Sequence, residues 1–333
     1  CLLMSENLFI FLFIASLFLL GAHYSDRLLK TSQRRWLSCL MAGVLLGLAC
    51  LTRSVLVGFI PLAALWLAIR RELMAALGVI LGAICVITPW TVRNWHYYHR
   101  IVPIDSYGGY NFLIGNNPDA AGRQSREFVV KLRQTAWKKC TDDAHRAAIG
   151  YREGLGFIVE NPRRFMGLGV RKMGYLYGPE VRELSWGYSR NFFGPVPRRL
   201  LVPVTTAVIA AFPLIAFFAI IGFYLHGIGI GGWRGGGGLL ILAVLYLSLA
   251  HFISFGESRF HLPFVPILAI FAGSLAQRDD EEGEECRMRV PRIVIVAVLL
   301  VLLCFNCAIR LGEDWVRLGN ILGPGGNTTN LDY

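Results

Sequence analysis

Residues 88–118 read TPWTVRNWHYYHRIVPIDSYGGYNFLIGNNP, and the fold turns on this stretch. An apolar run ends at Pro89 and Trp90, and Arg93 and Asn94 follow at the depth where hydrocarbon gives way to headgroups. Trp95, His96, Tyr97, Tyr98 and His99 come next, then a Gly108-Gly109 turn and an Asn116-Asn117-Pro118 turn. Trp and Tyr favour that depth because an apolar body carries a polar rim. An arginine there offers a planar, multi-donor fork to an anionic headgroup. The stretch therefore reads as a membrane-edge platform for a phosphate-bearing ligand. The plainer alternative is an interfacial aromatic belt followed by a loop.

Composition agrees with a membrane setting. Of 333 residues, 55% are hydrophobic and only 17% charged, with a mean hydropathy of +0.51, far from the usage of a soluble domain. Apolar runs near 2–22, 37–51, 54–69, 73–90, 200–226, 239–255, 260–276 and 291–309 approach the roughly 20 residues a bilayer takes. The run 2–22 reads as a span and not a signal peptide: no basic region precedes it and no small-residue cleavage site follows. Thr52-Arg53-Ser54 is a hairpin between two short helices. The expectation is an all-α polytopic membrane protein with about eight transmembrane helices. Four lie in 1–90 and four in 200–310, with a large, mainly helical extracytoplasmic loop at 91–199 and an outer tail at 311–333.

Short-loop Lys and Arg set the orientation. Arg27, Lys30, Arg34 and Arg35, then Arg70 and Arg71, then Arg234, then Arg278, Arg287 and Arg289 alternate as one side, read as cytoplasmic. Residues 91–199 then lie outside, and so does residue 1, which implies spans upstream of it. The long loop holds 18 Lys and Arg against 9 Asp and Glu, or nine of the chain's formal +11. A basic face beside a membrane suits anionic headgroups and phosphate. Nucleic acid does not fit an outer loop that carries no recognition motif. Residues 120–153 read as one or two surface helices, and Asn161-Pro162 opens an amphipathic helix lying on the membrane.

Several patterns carry no chemistry. GIGIGGWRGGGG (227–238) lacks the Lys-Ser/Thr and strand–helix context of a phosphate loop and reads as a linker. RDDEEGEE (278–285) is a solvated charge run. Asn327-Thr328-Thr329 has a glycosylation spacing that matters only in a eukaryotic secretory host. The CxxC of Cys304 and Cys307 lies inside an apolar helix, and the eight cysteines suggest no pairing framework. No His, Asp or Glu spacing suits a metal, and no cofactor is expected.

The informative charges face one side. Glu6, Arg53, Arg93 with Asn94, and Glu257-Ser258-Arg259-Phe260-His261 all fall at or near the outer membrane edge. Ionisable groups there are costly and by default mark function. Arginines on separate helix ends can clamp a lipid-linked phosphate and stabilise it as a leaving group. A carboxylate can orient a sugar hydroxyl or act as a base.

The chain resembles bacterial family 39-like glycosyltransferases of the GT-C fold, relatives of dolichyl-phosphate-mannose protein mannosyltransferases and of lipid A aminoarabinose transferase. The resemblance rests on SENLFIFLF (5–13), GVLLGLACLTRSVLVGFIPLAALWL (43–67), TPWTVRNW (88–95), SYGGYNFLIGNNPDAAG (106–122), ENPRRFMGLGVRKMGYLYG (160–178) and ESRFHLPFVPILAIFAG (257–273), in the family's order. It implies an inverting transferase in a bacterial plasma membrane. Sugar would move from a polyprenyl-phosphate donor to a lipid, glycan or protein acceptor on the extracytoplasmic side. The family's acidic base, expected in a first outer loop, has no counterpart here, so the resemblance places it outside this chain and implies that the chain alone is inactive. Arg53, Arg93, Arg259 and Lys172 are then expected at the carrier phosphate. Glu6, Asn94, Tyr107, Asn116, Asn117, Glu257 and His261 are expected around the sugar and acceptor. A transporter or flippase of lipid-linked sugars is the rival reading, though no internal repeat is seen and the polar residues cluster at one face instead of at mid-depth. A non-catalytic lipid-binding membrane subunit is the second rival.

Overall fold

The computed structural model describes residues 5–23, 32–124, 128, 130–132, 140, 142–188, 194, 196–226, 236–276 and 290–323. The Gly-rich run at 227–235, the acidic run at 278–285, the Asn327 sequon, most of 125–141, and Arg27, Lys30, Arg234, Arg278, Arg287 and Arg289 lie outside the described residues. Thirteen α-helices are described: α1 (Ser5–Ala22), α2 (Ser32–Thr52), α3 (Phe59–Ile69), α4 (Leu73–Tyr98), α5 (Gly108–Gly115), α6 (Asp143–Glu160), α7 (Pro162–Leu176), α8 (Val181–Tyr188), α9 (Arg198–His226), α10 (Gly236–Ile253), α11 (Phe264–Gly273), α12 (Val290–Glu313) and α13 (Trp315–Leu322). No strand occurs among the described residues.

Among the described residues, six helices are long and apolar enough to cross a membrane: α1, α2, α4, α9, α10 and α12. The apolar runs at Ser54–Ile69 and Phe264–Ala276 are shorter than a span, where the sequence reading made them full spans. Each is shortened by a 3-10 turn at or near its start, Ser54–Leu56 after Arg53 and Ser258–His261 after Glu257.

Contacts divide the chain into two units: Cys1–Pro118 with Val130–Pro162 and Ile228–Ser254, and Asp119–Val129 with Arg163–Gly227 and Phe255–Tyr333. Residues 91–199 are thus shared between the two. In the first unit α2 packs on α4 through two Gly-xxx-Gly pairs, GVLLG (43–47) and GVILG (78–82). A Cβ on Gly43 would strike the Val79 carbonyl, and one on Gly82 the Leu40 carbonyl. Lipid supplies no hydrophobic drive between helices, so small residues that admit close backbone contact hold such a pair. Phe13 meets Phe59 edge-on at 5.5 Å in the same unit, and Tyr246 donates to the Val55 carbonyl.

Two local readings are corrected. Residues 91–98 are not the start of a loop: α4 runs through Pro89 to Tyr98 and ends at His99 in the left-handed conformation, φ 51°. Thr91 Oγ1 lies 3.1 Å from the Ile87 carbonyl, a local bond within the helix that continues past Pro89. Gly108 and Gly109 are not a turn either; they begin α5. Their lack of side chains is needed by packing, since a Cβ on Gly109 would strike the Ala147 carbonyl of α6 and one on Gly150 the Gly109 carbonyl.

In the second unit Gly222 lets α9 lie against the Phe271 carbonyl of α11. Tyr188, Leu201 and Ile321 join α8, α9 and α13 in a small apolar cluster. Within the span Ile293–Glu313 of α12, no part of the apolar window is buried. A helix apolar all round and left uncovered is suited to lipid. Gly82→Leu should destabilise the protein by about 1–3 kcal/mol through forced separation of α2 and α4. Thermal unfolding in detergent checks this, and an unchanged melting temperature would mean that the two backbones do not touch.

Candidate functional site

The polar residues of the first unit are held in different ways. Arg53 precedes the 3-10 turn with an extended backbone, φ −145°. Its guanidinium pairs with the buried Glu6 carboxylate from the first turn of α1. The Arg53 side chain is 31% exposed, and its buried Nε has no hydrogen-bond acceptor among the described residues. Arg93 is exposed at the end of α4, with its guanidinium 4.9 Å from the Trp90 ring centre and 5.6 Å from that of Tyr97.

Asn94 is buried, and its Nδ2 donates to the Val102 and Ile104 carbonyls at 3.0 and 2.9 Å. Trp90 Nε1 donates to the same Ile104 carbonyl at 2.7 Å and Thr91 to that of Pro103 at 2.8 Å. Together they fold residues 102–104 back on α4. Asn116 donates to the Phe112 and Ile253 carbonyls, and Asn117 to those of Leu113 and Ile114. These amides close α5 and hold it to the end of α10. Tyr107 is exposed ahead of α5, and its backbone N–H donates to Asp105 Oδ1.

In the second unit the ESRFH motif (257–261) meets a partner that the sequence reading left aside, PEVRE (179–183). Arg182 Nη1 donates to both Glu257 oxygens at 2.8 and 2.9 Å. Glu183 accepts from Ser258 Oγ at 2.6 Å and from the Arg259 backbone N–H at 3.1 Å. The Glu180 carboxylate and the Leu176 carbonyl each lie 2.8 Å from a ring nitrogen of His261. The His261 ring is fully buried and stacks on Phe212 at 3.5 Å. Glu257 also accepts from the Gln124 N–H at 3.2 Å. Burial raises its carboxyl above the usual range, opposed by the Arg182 charge and reinforced by Glu183.

The Arg259 guanidinium lies 5.2 Å from the Phe260 ring centre. Lys172 is fully buried on α7, with Nζ 5.4 Å from the centre of the Phe165 ring. Burial pushes its amine down from the ordinary 10.5 to about 7. Gly256 lies against the Lys172 backbone, where a Cβ would strike its carbonyl, and its N–H donates to the Gly122 carbonyl at 3.0 Å.

The structure therefore brings Glu6 to Arg53, Arg93 to Asn94, and Glu257, Arg259 and His261 to the residues Glu180–Glu183. No protein family, curated protein or solved structure matches the chain. The partners that were missed carry a weak sequence signal. Glu180, Arg182 and Glu183 form a dense charge cluster just after an apolar helix face, but their partners lie some 75 residues away.

Lys172 gives a signed pH effect. Its folded-state value lies below the unfolded one, so the unfolded chain binds more protons between about 7 and 10.5 and stability rises across that window. Below about 7 the fold carries the full cost of a buried ammonium. Lys172→Met should be stabilising, most strongly below about pH 7, with its advantage shrinking toward about pH 10. Melting temperatures of both proteins across that range test this. Parallel curves would rule out titration of Lys172 as the cause.

Proposed function

We propose that the protein is a membrane glycosyltransferase that moves a sugar from a polyprenyl-phosphate carrier to a lipid, glycan or protein acceptor at the extracytoplasmic face of a bacterial plasma membrane. The observation that supports this most is Arg53. It sits at a break between two apolar helices, paired on one side with Glu6 and partly open to solvent on the other. Its charge is thus oriented while donors remain for an anion. A fixed guanidinium there stabilises the phosphate that leaves when the sugar–phosphate bond breaks.

Arg93, set between Trp90 and Tyr97 at a helix end, is the further phosphate candidate within the first unit. Arg259 and the fully buried Lys172 belong to the second unit and are not counted with it. On the sugar side, Asn94, Asn116, Asn117, Glu257 and His261 are engaged in internal hydrogen bonds and act by shaping the backbone. The exposed Tyr107 is left as the group best able to meet a hydroxyl directly, and Glu6 acts by orienting Arg53. No metal or cofactor enters the reading.

Arg53→Ala in the full-length gene product should lower release of polyprenyl phosphate from a radiolabelled donor in proteoliposomes by about a hundredfold. Arg53→Lys should recover part of it, since charge returns without the planar fork. Wild-type release in Arg53→Ala would remove the residue from the mechanism. Passage of the intact donor across the bilayer would favour a flippase.

A further inference from the structure

The second unit holds an arrangement that the glycosyl-transfer reading does not use. Tyr175, buried on α7, is surrounded by three guanidinium groups. Those of Arg310, Arg123 and Arg171 lie 4.5, 4.9 and 5.9 Å from its ring centre. Arg171 Nε also donates to the Tyr175 hydroxyl at 3.1 Å. The arginines come from three places: the segment beside Gly122, α7, and the end of α12. Gly122 holds φ at +88°, a conformation that favours glycine and aims Arg123 inward.

Two carboxylates serve these arginines. Glu313 pairs with Arg310 at 2.8 Å and Arg171 at 3.8 Å. Asp314 pairs with Arg317 at 3.2 Å and lies 3.9 Å from Arg123. The two carboxylates are thus shared among Arg123, Arg171, Arg310 and Arg317, while Arg182 pairs with Glu257. Burial pushes the Arg317 guanidinium below its ordinary range, and Arg182 and Arg123 add repulsion against the pull of Asp314 and Glu257. Two donors are also stranded. Arg123 Nη1 and Arg310 Nε are buried without a hydrogen-bond acceptor among the described residues. Buried polar groups are ordinarily satisfied, so stranded guanidinium donors on arginines that share their carboxylates call for an anion with several acceptor oxygens.

We infer that Arg123, Arg171 and Arg310 around Tyr175 form a binding site for a phosphate group. A tetrahedral phosphate carries enough oxygens to offer acceptors to both stranded donors. The ring of Tyr175 holds the guanidinium planes by cation–π contact and keeps the site formed without ligand. Arg171 is exposed on α7, whose Met166 and Val170 are also exposed. A basic helix with open apolar residues lies at a membrane surface, so the phosphate of a lipid headgroup is the favoured source over free phosphate. The site stands or falls independently of sugar transfer.

The test uses the protein in phosphatidylcholine nanodiscs, with phosphatidic acid titrated into the lipid in one arm and inorganic phosphate into the buffer in the other. Thermal stabilisation by phosphatidic acid is expected. Arg123→Gln and Arg310→Gln should each weaken the apparent affinity by about tenfold or more, the loss typical of a charge-assisted hydrogen bond. Arg163→Gln and Arg164→Gln remove the same charge from exposed positions of α7 and should leave affinity within about twofold. Stabilisation by inorganic phosphate with the same dependence on Arg123 and Arg310 supports the site and names a soluble ligand. Absence of stabilisation of the wild-type protein in both arms overturns the proposal, whatever the variants do. Equal losses in Arg163→Gln and Arg123→Gln also overturn it, because general attraction to anionic lipid would then suffice.

Discussion

Arg182 and Glu257 are each about nine-tenths buried, and their side chains meet at 2.8 Å. Two charges removed from water are tolerated only in such contact, since either one alone would remain uncompensated. The pair therefore fixes everything it touches. Through Glu257 it holds the backbone at Gln124, and through Arg182 it places α8 beside the 3-10 turn Ser258–His261. Glu183 on the same helix then reaches Ser258 and Arg259, and Glu180, just before it, reaches His261. With residues 122–124 anchored, Arg123 is carried to Tyr175. One buried ion pair thus links a sequence motif to the placement of a cationic group that the motif does not contain.

Close backbone approach is the second constraint. Helices in lipid gain little from burying apolar side chains against each other, so contact depends on removing side chains. Gly43 and Gly82 serve α2 and α4, Gly109 and Gly150 serve α5 and α6, and Gly222 serves α9 and α11. Gly256 does the same for a loop against α7. Where polar groups lie in these regions they are tied to carbonyls. Asn94 closes residues 102–104, Asn116 holds α5 to the end of α10, and Asn306 donates to the Gly174 carbonyl at 3.0 Å.

The all-α character and the six long apolar helices are legible in hydropathy alone, because a helix that faces lipid must be apolar over about 20 residues. The short runs at 54–69 and 264–276 were not separable from full spans, since composition does not reveal a 3-10 start. Pro89 and the aromatics after it suggested a helix end, yet α4 continues through Pro89 to Tyr98. Gly108-Gly109 carried a turn signal, while the real requirement was contact with α6. ESRFH drew notice because charges beside apolar runs are conspicuous. Its partners Glu180, Arg182 and Glu183, like the arginines around Tyr175, become visible only when distant segments are brought together. The pairing of Arg53 with Glu6 spans 47 positions and had the same obstacle, although both residues stood out singly.

The dependence of the second unit on Arg182 and Glu257 is tested most directly by a double-mutant cycle with Arg182→Met and Glu257→Leu, read by thermal unfolding. Each single change should cost about 3–5 kcal/mol by stranding a buried charge, and the double variant should recover much of that loss. Coupling of about 2 kcal/mol or more is the predicted result. Losses that simply add would contradict the account and show that the two side chains are held in place independently.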